Sequence, residues 1–227
     1  MINSTITGKL AGVILLVLGY GLAAAQDIPS GIIQAITVDE SNPQVVYASG
    51  AGYIYKSTDA GVNWTAAPSL VDVWSIAIER YDPAASPAPT PVAYGASQGN
   101  GVLRSTYGLQ WNITNGTGGV FGTVAIHPTG DTVYAGGEDG IYVSDDRGAN
   151  WSLLSTLPGE GNARGLVIDR SSPLNMYVTK WREGLFRSTD GGNSWGLAGG
   201  FYDKQLFDLD INPTNPSVLF ASTWYAV

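Results

Sequence analysis

The 227-residue chain contains no cysteine and a single histidine, His127. Without thiols it forms no disulfides, and the usual ligand sets of zinc, haem and iron–sulfur centres are excluded. No loop has the dense Asp/Asn/Gly spacing of a dedicated calcium site, so neither a metal nor a cofactor is expected. Basic residues are scarce as well. Eleven Lys and Arg face 19 acids, for a net charge of −8. The few cations are scattered, so nucleic acid and anionic lipid are not expected partners, because both require clustered cations against phosphate. Helical periodicity is also missing. Beyond the N-terminus no helix-length stretch keeps a 3.6-residue apolar repeat, and 30 glycines and 12 prolines punctuate the chain. Almost no helix is predicted outside the leader.

What is present begins with a leader. Lys9 precedes an apolar run, Leu10 to Ala25, that closes on Ala23, Ala24 and Ala25. This is the pattern of a signal peptide over residues 1–25, and the run is too short and too rich in glycine for a spanning helix. The expectation is a secreted, periplasmic or cell-envelope protein with no membrane partner beyond export. An exported chain without disulfides must be held by packing and strand pairing, which suits a prokaryotic envelope.

The remaining chain, 26–227, is repetitive. One unit reads Tyr53-Ile54-Tyr55-Lys56-Ser57-Thr58-Asp59-Ala60-Gly61-Val62-Asn63-Trp64. It returns around Ser144, Asp146, Gly148 and Trp151, and again around Ser188, Asp190, Gly192 and Trp195. A degenerate copy starts at Ser105 and places Tyr107 where the others have Asp. The spacing of roughly 40–50 residues suits a blade of four short strands. Upstream of each copy lies an alternating apolar run: Gln34–Asp39, Trp74–Glu79, Gly122–His127 and Arg164–Asp169, with a fifth at Phe207–Asn212. Each is followed by a polar turn and a second strand such as Thr132-Val133-Tyr134-Ala135. The predicted class is all-β, a propeller of four-stranded antiparallel blades at about 31–67, 72–114, 120–155 and 163–198, with a partial blade at 205–227. Residues 82–91, rich in Ala and Pro, read as a surface loop.

In Ser-x-Asp-x-Gly-x-x-Trp the Ser and Asp oxygens accept backbone N–H groups that a tight reversal leaves unpaired. Gly takes a positive φ, and the Trp returns to bury its ring. These copies resemble the Asp-box, or BNR, propellers, a family that includes sialidases, xyloglucan-cleaving glycoside hydrolases, sortilin-type receptors and photosystem II assembly factors. The resemblance covers about residues 31–227. It implies a fold and leaves activity open. It also implies that Asp59, Asp146 and Asp190 stabilise turns away from the ligand face.

Sialidase chemistry would need three clamping arginines and a Phe/Tyr-Arg-Ile-Pro segment, and the segment is missing. Arg104 and Arg187 occupy the repeat position of Lys56, which makes them part of the repeat. A xyloglucanase-like pair of acids across a cleft would draw on Asp72, Glu138, Asp139, Glu183 or Asp203. The loops leading into the inner strands carry Trp74, Phe121, Arg164, Tyr202 and Phe207, and those between second and third strands carry Trp181, Arg182 and Glu183. Aromatic planes beside polar groups suit sugar rings or extended polymers. Trp74, Phe121 and Phe207 also read as blade packing, whereas Trp181 has no counterpart in other repeats. The candidate ligand-binding set is therefore Trp181, Arg182, Glu183, Arg164, Tyr202 and Asp203, with no catalytic residue assigned.

The fifth unit stops at Trp224-Tyr225-Ala226-Val227, half a blade short. A fragment of a longer protein, a ring completed by self-association through open blade edges, and a small five-bladed ring all remain open. The functional expectation is a non-catalytic binding or scaffold module for carbohydrate or a protein partner. The alternative is a fragment of a xyloglucanase- or sialidase-like glycoside hydrolase.

Overall fold

The computed structural model describes residues 32–69, 71–82, 84, 90–106, 108–199, 201 and 205–223. The leader, most of the 82–91 loop, Tyr107, Tyr202, Asp203 and the last four residues lie outside the described residues. The chain is a β-propeller of antiparallel blades, and no helix occurs among the described residues. Blade one holds β1 (Ala35–Val38), β2 (Val46–Gly50), β3 (Tyr53–Ser57) and β4 (Thr65–Pro68). Blade two holds β5 (Val73–Ile78), β6 (Ala93–Gly99), β7 (Val102–Ser105) and β8 (Asn112–Ile113). Blade three holds β9 (Gly119–Ile126), β10 (Val133–Gly137), β11 (Gly140–Ser144) and β12 (Ser152–Thr156). Blade four holds β13 (Ala163–Ile168), β14 (Met176–Lys180), β15 (Gly184–Ser188) and β16 (Gly196–Leu197), and β17 (Leu206–Ile211) and β18 (Leu219–Thr223) form a two-stranded unit.

The inner strands β1, β5, β9, β13 and β17 pack side by side in chain order. One repeat position makes these joints. Ser75 Oγ accepts the N–H of Val124 in the next blade, and Thr123 Oγ1 accepts that of Leu166. Gly165, at the same position, has no side chain because a Cβ there would lie 2.6 Å from Leu209 N. Blades two and three go further and share one sheet. Overlong β6 and β9 pair at Gln98↔Val120 and Gly99↔Gly119.

Farther from the axis the blades are cemented by aromatics. In blades one to three a tyrosine of the second strand receives the turn of the following blade. Tyr47 meets Trp111 edge-on at 6.3 Å, and Tyr94 shares an apolar cluster with Trp151. A Cβ on Gly148 would sit 2.4 Å from the Tyr94 ring, so this turn is bare where it touches its neighbour. Trp195 packs in the same way against the cluster containing Tyr134. Each fully buried ring of this kind contributes roughly 1.5–3 kcal/mol, which replaces the missing disulfides.

The three complete Ser-x-Asp-x-Gly turns share one hydrogen-bond pattern. Ser57, Ser144 and Ser188 each donate Oγ to the Asp two residues on, at 2.7–2.8 Å, and accept the Gly N–H at 2.8–2.9 Å. The Asp then accepts the N–H of Asn63, Asn150 or Ser194. Two successive residues are left-handed in each turn: Ala60 and Gly61, Arg147 and Gly148, Gly191 and Gly192. Trp64, Trp151 and Trp195 donate their indole N–H back to the turn glycine's carbonyl. The degenerate copy keeps the Gly108 N–H to Ser105 Oγ bond.

Candidate functional site

Two ends of the central axis differ in chemistry. At the C-terminal ends of the inner strands the residue two past each strand faces its counterparts: Glu40, Arg80 and Arg170. Glu40 pairs with both arginines, and Arg170 Nη1 donates to it at 2.8 Å. A cavity of about 190 Å³ lies here, but its charges are committed to one another.

The N-terminal ends carry the residues that alignment of the repeats places together: Gln34, Trp74, Gly122, Arg164 and Phe207. Arg164 leaves β13 of blade four and crosses to blade two, where its Cζ lies 4.0 Å from the Trp74 ring centroid. Gly122, in the blade between, is bare where the backbone of blade four comes closest. A Cβ there would be 2.0 Å from Ala163 O and 3.4 Å from Arg164 Cδ. The same guanidinium lies 5.5 Å from the Trp181 centroid and 5.7 Å from that of Phe207, and these two rings meet edge to face at 5.0 Å. Three aromatic rings from three units thus surround one cation. Each contact of this kind is worth about 0.5–2 kcal/mol.

Among the described residues Arg164 has no carboxylate partner. Its Nε is buried without an acceptor, and so is Asn162 Oδ1 without a donor, two residues away. Burial pushes the guanidinium pKa below its ordinary value, as expected for a cation held by rings rather than by acids.

The Trp181-Arg182-Glu183 segment is the turn between β14 and β15. Glu183 N–H closes it on Lys180 O at 3.1 Å, and Arg182 sits at its corner with φ +63°. Lys180 anchors it. This lysine is 1% exposed and donates Nζ to the carbonyls of Leu157, Pro158 and Gly159 at 2.5–3.2 Å. Glu183 Oε1 accepts the Glu160 N–H at 3.1 Å. Trp181 therefore joins the Arg164 cluster, Glu183 holds the preceding inter-blade loop, and Arg182 projects to solvent. Tyr202 and Asp203 fall outside the described residues. Phe121 is 2% exposed, in edge contact with Tyr142, and belongs to the core.

The described candidate acids sit on three different loops. Asp139 accepts from Tyr142 Oη in the turn between β10 and β11, where Glu138 is exposed. Asp72 precedes β5, and Glu183 is tied to blade three's exit loop. The sequence reading did not foresee that Arg164 meets Trp74, about ninety residues earlier. Alignment of the repeats, which gives both the same position with glycine between, was the available signal.

No protein-family model matches the chain. Xyloglucanase Xgh74A of Acetivibrio thermocellus is 25% identical over 171 residues, covering 70% of this chain and 16% of that protein. A Paenibacillus xyloglucanase is 26% identical over 179 residues, 70% of this chain and 14% of its own length. The chain thus spans only a small part of these curated relatives. Among solved structures, an ancestral GH74 enzyme superposes with TM-score 0.62 at 15% identity, over 82% of this chain and 28% of that one. YCF48 from Cyanidioschyzon merolae gives 0.59 at 14% identity, over 87% and 66%, and a complex of YCF48 with a D1 peptide gives 0.59 at 14%, over 85% and 60%. The chain is similar in fold to GH74 and YCF48 propellers and related in sequence to xyloglucanases.

Proposed function

We propose that this chain is an exported, non-catalytic binding module whose ligand end is the axis mouth formed by Trp74, Arg164, Trp181 and Phe207, and that its ligand is a carbohydrate polymer. The observation that carries this reading is the Arg164 cluster, which combines three aromatic rings with a half-buried cation in one place, the usual make-up of a ligand site. The sequence relatives supply the ligand class, because both are xyloglucanases.

That same relationship favours a second reading, a piece of a glycoside hydrolase with acids drawn from Asp72, Glu138, Asp139, Glu183 and Asp203. The YCF48 complex points instead to a protein partner for a propeller of this shape. One experiment separates the three. The purified chain is titrated with xyloglucan and xylan oligosaccharides by calorimetry while new reducing ends are assayed. Saturable binding without reducing ends is the expected result, and bond cleavage would replace the binding reading with the hydrolase one. Absence of glycan binding would leave the protein-partner reading.

A further inference from the structure

Arg164 is an odd residue to find at the centre of a chain with 19 acids. None of the described acids reaches it, although Arg80, Arg147 and Arg170 all have carboxylate partners. Three aromatic rings lie within 6 Å of its guanidinium carbon. A guanidinium without an acid partner offers its planar fork, whose geometry matches a carboxylate bidentately. Cation–π contacts offset the cost of half-burying the charge without consuming its in-plane N–H donors.

Charge then narrows the ligand. The chain carries −8 overall, so a polyanion with an acid on every residue is repelled at long range. A mostly neutral chain with isolated acids is not. We infer, building on the carbohydrate-binding reading above, that the Arg164 cluster is a receptor for a single uronic acid unit on an otherwise neutral glycan. Arg164 takes the carboxylate, and Trp181 lies beside the sugar ring.

The test uses the full chain and two probes: a xylo-oligosaccharide bearing one glucuronic acid branch, and the same oligosaccharide with that carboxyl reduced to the alcohol. Calorimetry should show at least a tenfold preference for the acid form. Arg164→Gln should abolish the preference, and Arg164→Lys, which keeps the charge and loses the fork, should reduce it several-fold while the circular dichroism spectrum is unchanged. Equal affinity for the two probes would overturn the carboxylate assignment and leave glycan binding standing. Binding of neither probe, with binding of neutral xyloglucan oligosaccharides retained, would do the same. Loss of all glycan binding, with capture of a peptide bearing a free C-terminal carboxylate, would overturn both and assign the fork to a peptide.

Discussion

Arg170, just beyond the inner strand of blade four, is ion-paired with Glu40, just beyond that of blade one, so the chain is stapled across its own axis. Arg80 of blade two holds the same carboxylate. These groups are about half exposed, and each pair is worth only about 0–1 kcal/mol. Their arrangement matters more, because Glu40 separates two cations. Glu40→Gln is expected to destabilise by about 1 kcal/mol in urea unfolding, and Glu40→Lys, which gathers three cations, by clearly more. Equal midpoints for the two variants would show that the charges do not act as a cluster.

A second prediction concerns the other end of the axis. Gly122→Ala places a methyl group against the Ala163 carbonyl, a backbone atom that cannot move aside, and is expected to cost about 2–3 kcal/mol. It should also displace Arg164 from Trp74, changing tryptophan fluorescence in the native state. A stable variant with an unchanged spectrum would mean that Arg164 does not depend on this passage.

The turn aspartates predict an acid transition. Hydrogen bonds from Asn63, Asn150 and Ser194 and from the turn serines hold Asp59, Asp146 and Asp190 down to pKa values of about 2. An unfolded Asp titrates near 3.9, so in this window the unfolded chain binds more protons and stability rises with pH. The contribution is complete above about pH 4 and is lost as pH falls toward 2. Urea midpoints across that window should fall steeply, and Asp146→Asn should flatten the slope. A slope unaffected by Asp146→Asn would place the acid sensitivity elsewhere.

The joint between blades two and three carries a fourth prediction. Glu79 is 5% exposed, accepts Tyr94 Oη at 2.6 Å, and pairs with Arg147 of the following blade's turn. Tyr94→Phe is expected to cost about 1–2 kcal/mol. Arg147→Met leaves a buried carboxylate without its cation and should cost more, about 3 kcal/mol. Double-mutant analysis checks the coupling, and simple additivity would argue against a connected triad.

The fold was legible because its signals are local. Alternation in Trp74-Ser75-Ile76-Ala77-Ile78 and Arg164-Gly165-Leu166-Val167-Ile168 marks inner strands, and Ser-x-Asp-x-Gly fixes each reversal; these runs are strands β5 and β13. The site was legible only in pieces. Arg164 and Trp181 are recognisable as unusual residues, but a two-residue period says nothing about which distant ring a long side chain will reach. Glu183 reads as a loop acid, and its bond to Glu160 N–H depends on how two adjacent blades lean together. The pairing of Gln98 with Val120 was equally hidden, because strand overrun depends on the neighbouring blade.

That shared ladder has a genealogical consequence. Propellers grow and shrink by copying or losing single units, which requires each unit to be a separable module. Between blades one and two, and between three and four, no backbone ladder crosses the joint among the described residues, so a unit could be spliced in or out there at the cost of side-chain contacts alone. Between blades two and three the backbone itself is woven together, and the pair would be inherited, duplicated or deleted as one.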